Sequence, residues 1–473
     1  MSRLPASVPR PPAVAGQFYP GEPRAIAKAV ARLLEAAPRR EPGDVVALIS
    51  PHAGLDYSGG VAAAAYRALP AGAFDSVVIV GAGHRKAVAG AAIYPGDYGT
   101  PEGMLPFDRE LAEGLLEASP LIAADASAHG GEHSVEIQVP FIRQTLGPVK
   151  AVGLVMNTDE LANVVRVGMA LAEAVRGRKT LLVASTDLSH FPSGAMADLV
   201  DATTVEALAT MEPATFWLSN ELLLDRGLPG LATTCCGAAG AAAVLIAAKE
   251  LGATELQVLE RVHSGTVAGE KDARRVVGYA AAAFVRSKKP RGPRTHTGEE
   301  QAELLDAARQ SIRCYLAEGK AQTAPLSRFP RLNLPGSAFV TLTEANGDLR
   351  GCIGDLEPRQ SLFESVCRNA VAAAVRDRRF PAVTAGELGG IRIEVSVLSP
   401  QRTAHWKEVK PGDGVRIERG GRAGVFLPQV WEKLAHVEEF LSTLCAHKAG
   451  LPPDAYRQPG TVLKIFAVEK IEE

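Results

Sequence analysis

The chain has 473 residues, with 51 Lys and Arg against 53 Asp and Glu and a formal net charge of −2. Hydrophobic residues make up 47% and charged residues 22%. This balance excludes disordered, collagen-like and coiled-coil classes and supplies none of the basic excess that a nucleic-acid-coating surface needs. The length is about three times the usual ~150-residue domain, leaving room for two to four domains.

The chain opens with Pro5, Pro9, Pro11 and Pro12 and has no apolar core of signal-peptide type there. Six cysteines are too few and too scattered for a disulfide framework, and the adjacent Cys235 and Cys236 would close only with strain. A reducing, cytoplasmic setting is expected. Short β-branched runs follow at Asp44–Ser50, Ser76–Gly81, Lys150–Met156 and Lys179–Ser185, separated by Ala-rich helical stretches. Near-continuous apolar strands between helices predict a sheet covered on both faces, hence an α/β domain over 8–286. The uncharged run Leu228–Ala248 approaches the length of a bilayer span. Its Pro229, Gly230, Gly237 and Gly240 and its abundant alanine instead predict a buried loop and a small-residue helix, so no membrane partner is expected.

Basic residues, prolines and glycines then accumulate without apolar periodicity, and 287–297 reads as a linker. Thr297 with Glu300 predicts a capping box, and Leu305, Ala308, Ile312 and Leu316 continue it as a helix. Farther on, Ile391, Ile393, Val395 and Val397 share one strand face, as do Leu463, Ile465 and Ala467. Helices are expected at Ser361–Arg376 and about Val437–Ala449. The domain 298–473 is therefore expected to be α+β.

The chemistry gathers behind the strands of the first domain. His52 follows the first run, His84 the second, and Asp187 and His190 the fourth. In open α/β sheets ligands sit at the carboxyl edge, so these side chains are expected to share one cleft. Glu132-His133-Ser134-Val135-Glu136 is expected to begin a helix, and Cys236 precedes the Ala-rich one. Imidazole with thiolate or carboxylate suits zinc, iron or copper. Gly81-Ala82-Gly83 opens like a dinucleotide fingerprint, but Lys86 occupies the third glycine position. In the second domain, Gly351 and Gly354 flank Cys352, and Arg350 is placed to hold an anion beside the thiol.

The segments PPAVAGQFYP, SPHAGLDYSG, GAGH, GEHSVEIQVPF, STDLSHF and TCCGAAG, in this order, resemble the Memo family. That resemblance implies a fold like the class III extradiol dioxygenases and a non-haem metal site. His52, His84 and Cys236 would be the ligands, with iron expected first and copper or zinc as alternatives. It also implies that Asp187 and His190 line the pocket and that His133 belongs there as acid or base. The segment Leu349–Gly354, with DRRFPAV, GVFLPQVW and FLSTLCAHKAGLP, resembles the AMMECR family. Together the two resemblances imply an AmmeMemoRadiSam-type fusion whose partners are a radical-SAM protein and a small organic substrate. The function expected is a metal-dependent oxygenase or oxidoreductase; the alternatives are a non-catalytic metal-binding adaptor and metal-free catalysis by Cys236.

Overall fold

The structure is a computed structural model describing residues 4–5, 7–270, 273–287 and 295–473. Its contacts divide the chain into two units, Met1–Pro293 and Arg294–Glu473. Of the linker expected at 287–297, residues 288–294 lie outside the described residues.

The first unit contains strands β1 (Asp44–Ser50), β2 (Ser76–Ala82), β3 (Ala91–Ile93), β4 (Tyr98–Thr100), β5 (Gly103–Leu105), β6 (Ile122–Ala124), β7 (Lys150–Met156), β8 (Thr180–Ser185), β9 (Glu255–His263) and β10 (Gly278–Arg286). Its helices are α1 (Pro23–Ala36), α2 (Leu55–Arg67), α3 (Arg109–Ala118), α4 (Gln138–Leu146), α5 (Leu161–Val175), α6 (Gly194–Ala209), α7 (Pro213–Asp225), α8 (Ala238–Glu250) and α9 (Ser264–Val267). The main sheet runs β6-β3-β7-β2-β8-β1-β10-β9. The four apolar runs of the sequence are its contiguous centre, β7-β2-β8-β1, and their pairings with one another are parallel. Nearly every residue in them is buried, as a sheet covered on both faces requires. Antiparallel β10 and β9 extend one side, making the sheet mixed.

The uncharged run ends in α8, whose residues Ala239–Ala248 are all buried. Small residues let α5 approach closely: a Cβ on Gly168 would lie 2.8 Å from the Ala243 carbonyl oxygen. Among the described residues no helix is long and apolar enough to cross a membrane. One expectation is corrected. The helix foreseen at Glu132 starts only at Gln138, and residues 134–137 form turns. The reason is local: the Glu132 carboxylate folds onto the amides of His133 and Ser134, imposing a turn ahead of the helix.

The second unit contains β11 (Ser337–Thr343), β12 (Leu349–Gly354), β13 (Arg392–Leu398), β14 (Arg402–Ala404), β15 (Gly414–Arg419), β16 (Arg422–Phe426), β17 (Val462–Phe466) and β18 (Val468–Glu472). Helix α10 (Gly298–Glu318) begins with the capping box of Thr297 and Glu300. Helix α11 is Leu362–Val375, and α12 (Val437–Thr443) continues as a π-helix through Ala449. Two antiparallel sheets result, β12-β11-β13-β18 and β14-β17-β15-β16, giving α+β architecture. Ile393, Val395 and Val397 bury against α10 and α11 in one core, and Leu463 and Ile465 lie in another. Ala467 is exposed between β17 and β18, outside the face expected for it.

Candidate metal centre

Strand ends bring the histidines together. His52 follows β1 after Pro51, His84 lies two residues past β2, and His133 sits in the turn before α4. Ring centroids are 5.2 Å apart for His52–His84, 5.2 Å for His52–His133 and 4.8 Å for His84–His133. One nitrogen from each ring lies within 4.8 Å of the others. A tetrahedral metal with ligands at about 2.1 Å separates its nitrogens by about 3.4 Å, so small side-chain rotations would close this set around an ion.

The partners of these rings settle which nitrogens face inward. Glu132 is 1% exposed and accepts from the His84 amide at 2.7 Å and from His84 Nδ1 at 3.0 Å. It also accepts from the amides of His133 and Ser134, and His133 Nδ1 is 3.4 Å away. Burial pushes this carboxyl up, but the hydrogen bond and charge of His84, the Ser134 amide and His133 together outweigh it and hold it well below the carboxylate range. On the other side, the Ser185 hydroxyl donates to the Ser134 carbonyl and accepts from Gln138 Nε2 at 2.7 Å. Its single proton is thus engaged, so at 3.2 Å it accepts from His52 Nδ1, which places the lone pair of His52 on Nε2. Gln138 is itself fixed by the Pro51 carbonyl and the Tyr66 hydroxyl.

Burial, reinforced for His52 by the charge of His84, lowers the His52 pKa to about 3. Burial and the charge of His52 lower that of His133 to about 4. Both rings are therefore neutral at physiological pH, the state in which imidazole donates to a metal. Three imidazoles, with a carboxylate and a hydroxyl turning their opposite nitrogens, fit a borderline transition metal.

The three mutually close donors are not the same three foreseen as ligands. His133, foreseen as acid or base, joins His52 and His84 in the mutually close donor group, and Cys236 lies outside it. Cys236 Sγ is instead 3.2 Å from His52 Nε2 and 3.7 Å from the Asp187 carbonyl, with its thiol pushed well up by burial and then by the charge of Asp187. Asp187 Oδ1 accepts from the amides of His52 and Ala53, binding the β8 loop to the β1 loop. His190 lies near Asp187, His84 and His52, and among the described residues its buried Nε2 has no hydrogen-bond partner.

In the second unit, Arg350 is 6% exposed and its guanidinium bonds the carbonyls of Pro381 and Ala382 and the Glu387 carboxylate. The anion foreseen for it beside Cys352 would have to share the guanidinium with these three protein acceptors. The Cys352 sulfur instead accepts from the Thr341 hydroxyl at 3.3 Å, and its amide donates to Asp377. Ser185 and Gln138 carry no mark of function in the sequence, whereas Glu132 stands in the segment grouped there with the site through its carboxylate and His133.

Fold and site define an α/β domain carrying a ready metal-ligand cluster, joined to an α+β domain. The Memo-like protein family model matches residues 10–283, more than half the chain, and that of AMMECR1 matches residues 305–471. The chain belongs to the Memo family and carries an AMMECR1 domain behind the Memo domain. A MEMO1 family protein of Methanosarcina barkeri is 34% identical over 275 residues, covering 58% of this chain and 98% of that protein. One of Methanopyrus kandleri is 33% identical over 294 residues, covering 59% and 99%. The crystal structure of an uncharacterized protein from Pyrococcus horikoshii is 37% identical, covers 37% of this chain and 92% of that one, and has a TM-score of 0.34.

Proposed function

We propose that the Memo domain is a mononuclear non-haem metal centre with oxygenase or oxidoreductase chemistry on a small organic substrate. The observation that carries the metal reading is the convergence of His52, His84 and His133, with Glu132 and Ser185 fixing the outward nitrogens. Iron is the first assignment, on the resemblance to extradiol dioxygenases, with copper and zinc as alternatives. Bound there, such a metal would supply an electrophilic centre and, for iron or copper, one-electron redox chemistry. His84 is 29% exposed at the side chain and opens the cluster to a small molecule. The unpartnered Nε2 of His190 is available to hold or pass a proton to that molecule. A radical-SAM partner is proposed from the resemblance of the two-domain fusion alone.

Metal-free catalysis by Cys236 is the second reading, favoured by its 3.2 Å contact with His52. Burial works against it: the thiol is driven up and His52 down to about 3, so the pair stays neutral instead of forming thiolate and imidazolium.

Metal content of the purified full chain tests the first reading after reconstitution with Fe(II), Cu(II) or Zn(II). His52→Ala and His133→Ala should lose bound metal, whereas Cys236→Ala should retain most of it. Wild-type metal content in both histidine variants would overturn the centre. Substrate-dependent turnover that needs Cys236 but no metal would establish the second reading instead.

A further inference from the structure

We propose that the N-terminal segment Arg10–Tyr19 is a built-in brace of the metal centre, in which Arg10 and Phe18 are positioning residues for His133 and the loop that carries His52. This rests on the metal-centre reading and adds a part of the chain that supplies no ligand. Arg10 is 4% exposed, and the described hydrogen bonds of its guanidinium to other segments all go to the turn that carries His133. Nε and Nη2 donate to the His129 carbonyl at 3.2 and 3.0 Å, Nη2 also donates to the Glu132 carbonyl, and Nη1 meets Glu136 Oε2 at 2.6 Å. The guanidinium thus grips residues 129, 132 and 136, on both sides of His133.

Glu136, fully buried, returns the grip. Its Oε2 also accepts from the Ala13 amide at 2.8 Å, while Oε1 accepts from the Val14 amide at 3.0 Å and the Tyr19 hydroxyl. Phe18 then touches both metal-site loops. Its ring lies 4.7 Å from that of His133, and its carbonyl accepts from the Leu55 amide at 2.8 Å, three residues beyond His52. A buried ion pair gives little net stability over an apolar pair of the same volume, because both charges must be desolvated. What Arg10 and Glu136 add is direction: several hydrogen bonds at fixed angles hold two loops that converge on one point.

The test is Co(II) binding to the full-length protein, followed by calorimetric titration and by the visible d–d spectrum, for wild type, Arg10→Lys and Phe18→Leu. Arg10→Lys keeps the charge but loses the fork, and Phe18→Leu keeps an apolar contact without the ring. Both are expected to stay folded by circular dichroism at the assay temperature, to weaken Co(II) by roughly tenfold, the lower end of the range for outer partners of metal ligands, and to alter the d–d spectrum. Wild-type affinity and spectrum in the folded variants would overturn the brace. If Arg10→Lys does not fold, Phe18→Leu decides alone. Failure of the wild type itself to bind Co(II) would instead overturn the metal centre, and the brace with it.

Discussion

The Ser185 hydroxyl, at the last position of β8, stands 3.2 Å from His52 Nδ1 beyond the end of β1, and the two strands run parallel side by side. This contact ties the orientation of one histidine to the register of the central sheet. Replacing Ser185 by alanine removes the acceptor of the His52 Nδ1 proton and leaves Gln138 Nε2 and the Ser134 carbonyl each one partner short. Ser185→Ala should lower metal affinity by roughly 10- to 100-fold and destabilise the domain by about 1–3 kcal/mol. Titration calorimetry and urea unfolding check both numbers; an unchanged affinity would show that the hydroxyl does not orient His52.

Glu132→Gln keeps the shape of the side chain but removes its charge and one acceptor oxygen. The folded-state pKa of Glu132 is depressed, so its contribution to stability is present above the unfolded value of about 4.3 and is lost as pH falls below it. The variant should therefore be less stable than wild type at pH 7, by about 1–3 kcal/mol, with the gap narrowing toward pH 3. Urea midpoints of the metal-free proteins at several pH values measure this, and a gap that does not change with pH would sink the argument.

Asp201 gives the opposite slope. It is 1% exposed, its Oδ1 accepts from the Ser189 amide at 2.9 Å, and its carboxyl packs where a side chain at Gly278 would stand. Burial pushes its pKa up to about 7, against the hydrogen bonds of Ser189 and the charge of Arg261. A raised pKa favours folding while the group is protonated; this contribution is full below about pH 4 and is lost as pH rises through 7. Asp201→Asn, neutral throughout, should gain on wild type between pH 4 and 8, by at most about 4 kcal/mol. Parallel stability curves for the two metal-free proteins would refute the assignment.

Arg350→Met deprives the Pro381 and Ala382 carbonyls of their donor and should destabilise the second unit by about 1–3 kcal/mol. Since the guanidinium is engaged by the Pro381 and Ala382 carbonyls and Glu387, alkylation of Cys352 should proceed within about twofold of the wild-type rate, a change of under 0.5 kcal/mol in barrier. A tenfold slower reaction would restore Arg350 as an activator of Cys352.

The helix expected at Glu132 shows where reading along the chain stops. Spacing marked the segment as helical, but the carboxylate of Glu132 bonds the His84 amide and ring, 48 residues away, as well as its own following amides. The local bonds impose the turn, and the distant His84 helps hold the carboxylate that makes them, which no local pattern displays. Cys236 illustrates the same limit: its place in the chain beside the Ala-rich helix was legible, but its contact with His52 joins positions 184 apart in sequence.

Sequence by itself determined the two-domain organisation, the four central strands and the fact that histidines follow three of them. Apolar runs of strand length have few ways to bury both faces, and in a parallel sheet all their carboxyl ends share one edge. Only the tertiary structure decided that His133 completes the donor group, that Cys236 lies outside it, and that Glu132, Ser185 and Arg10 hold the rings in place. Those assignments rest on hydrogen bonds of about 3 Å between distant segments, and a shift of one or two ångströms in packing would break each of them.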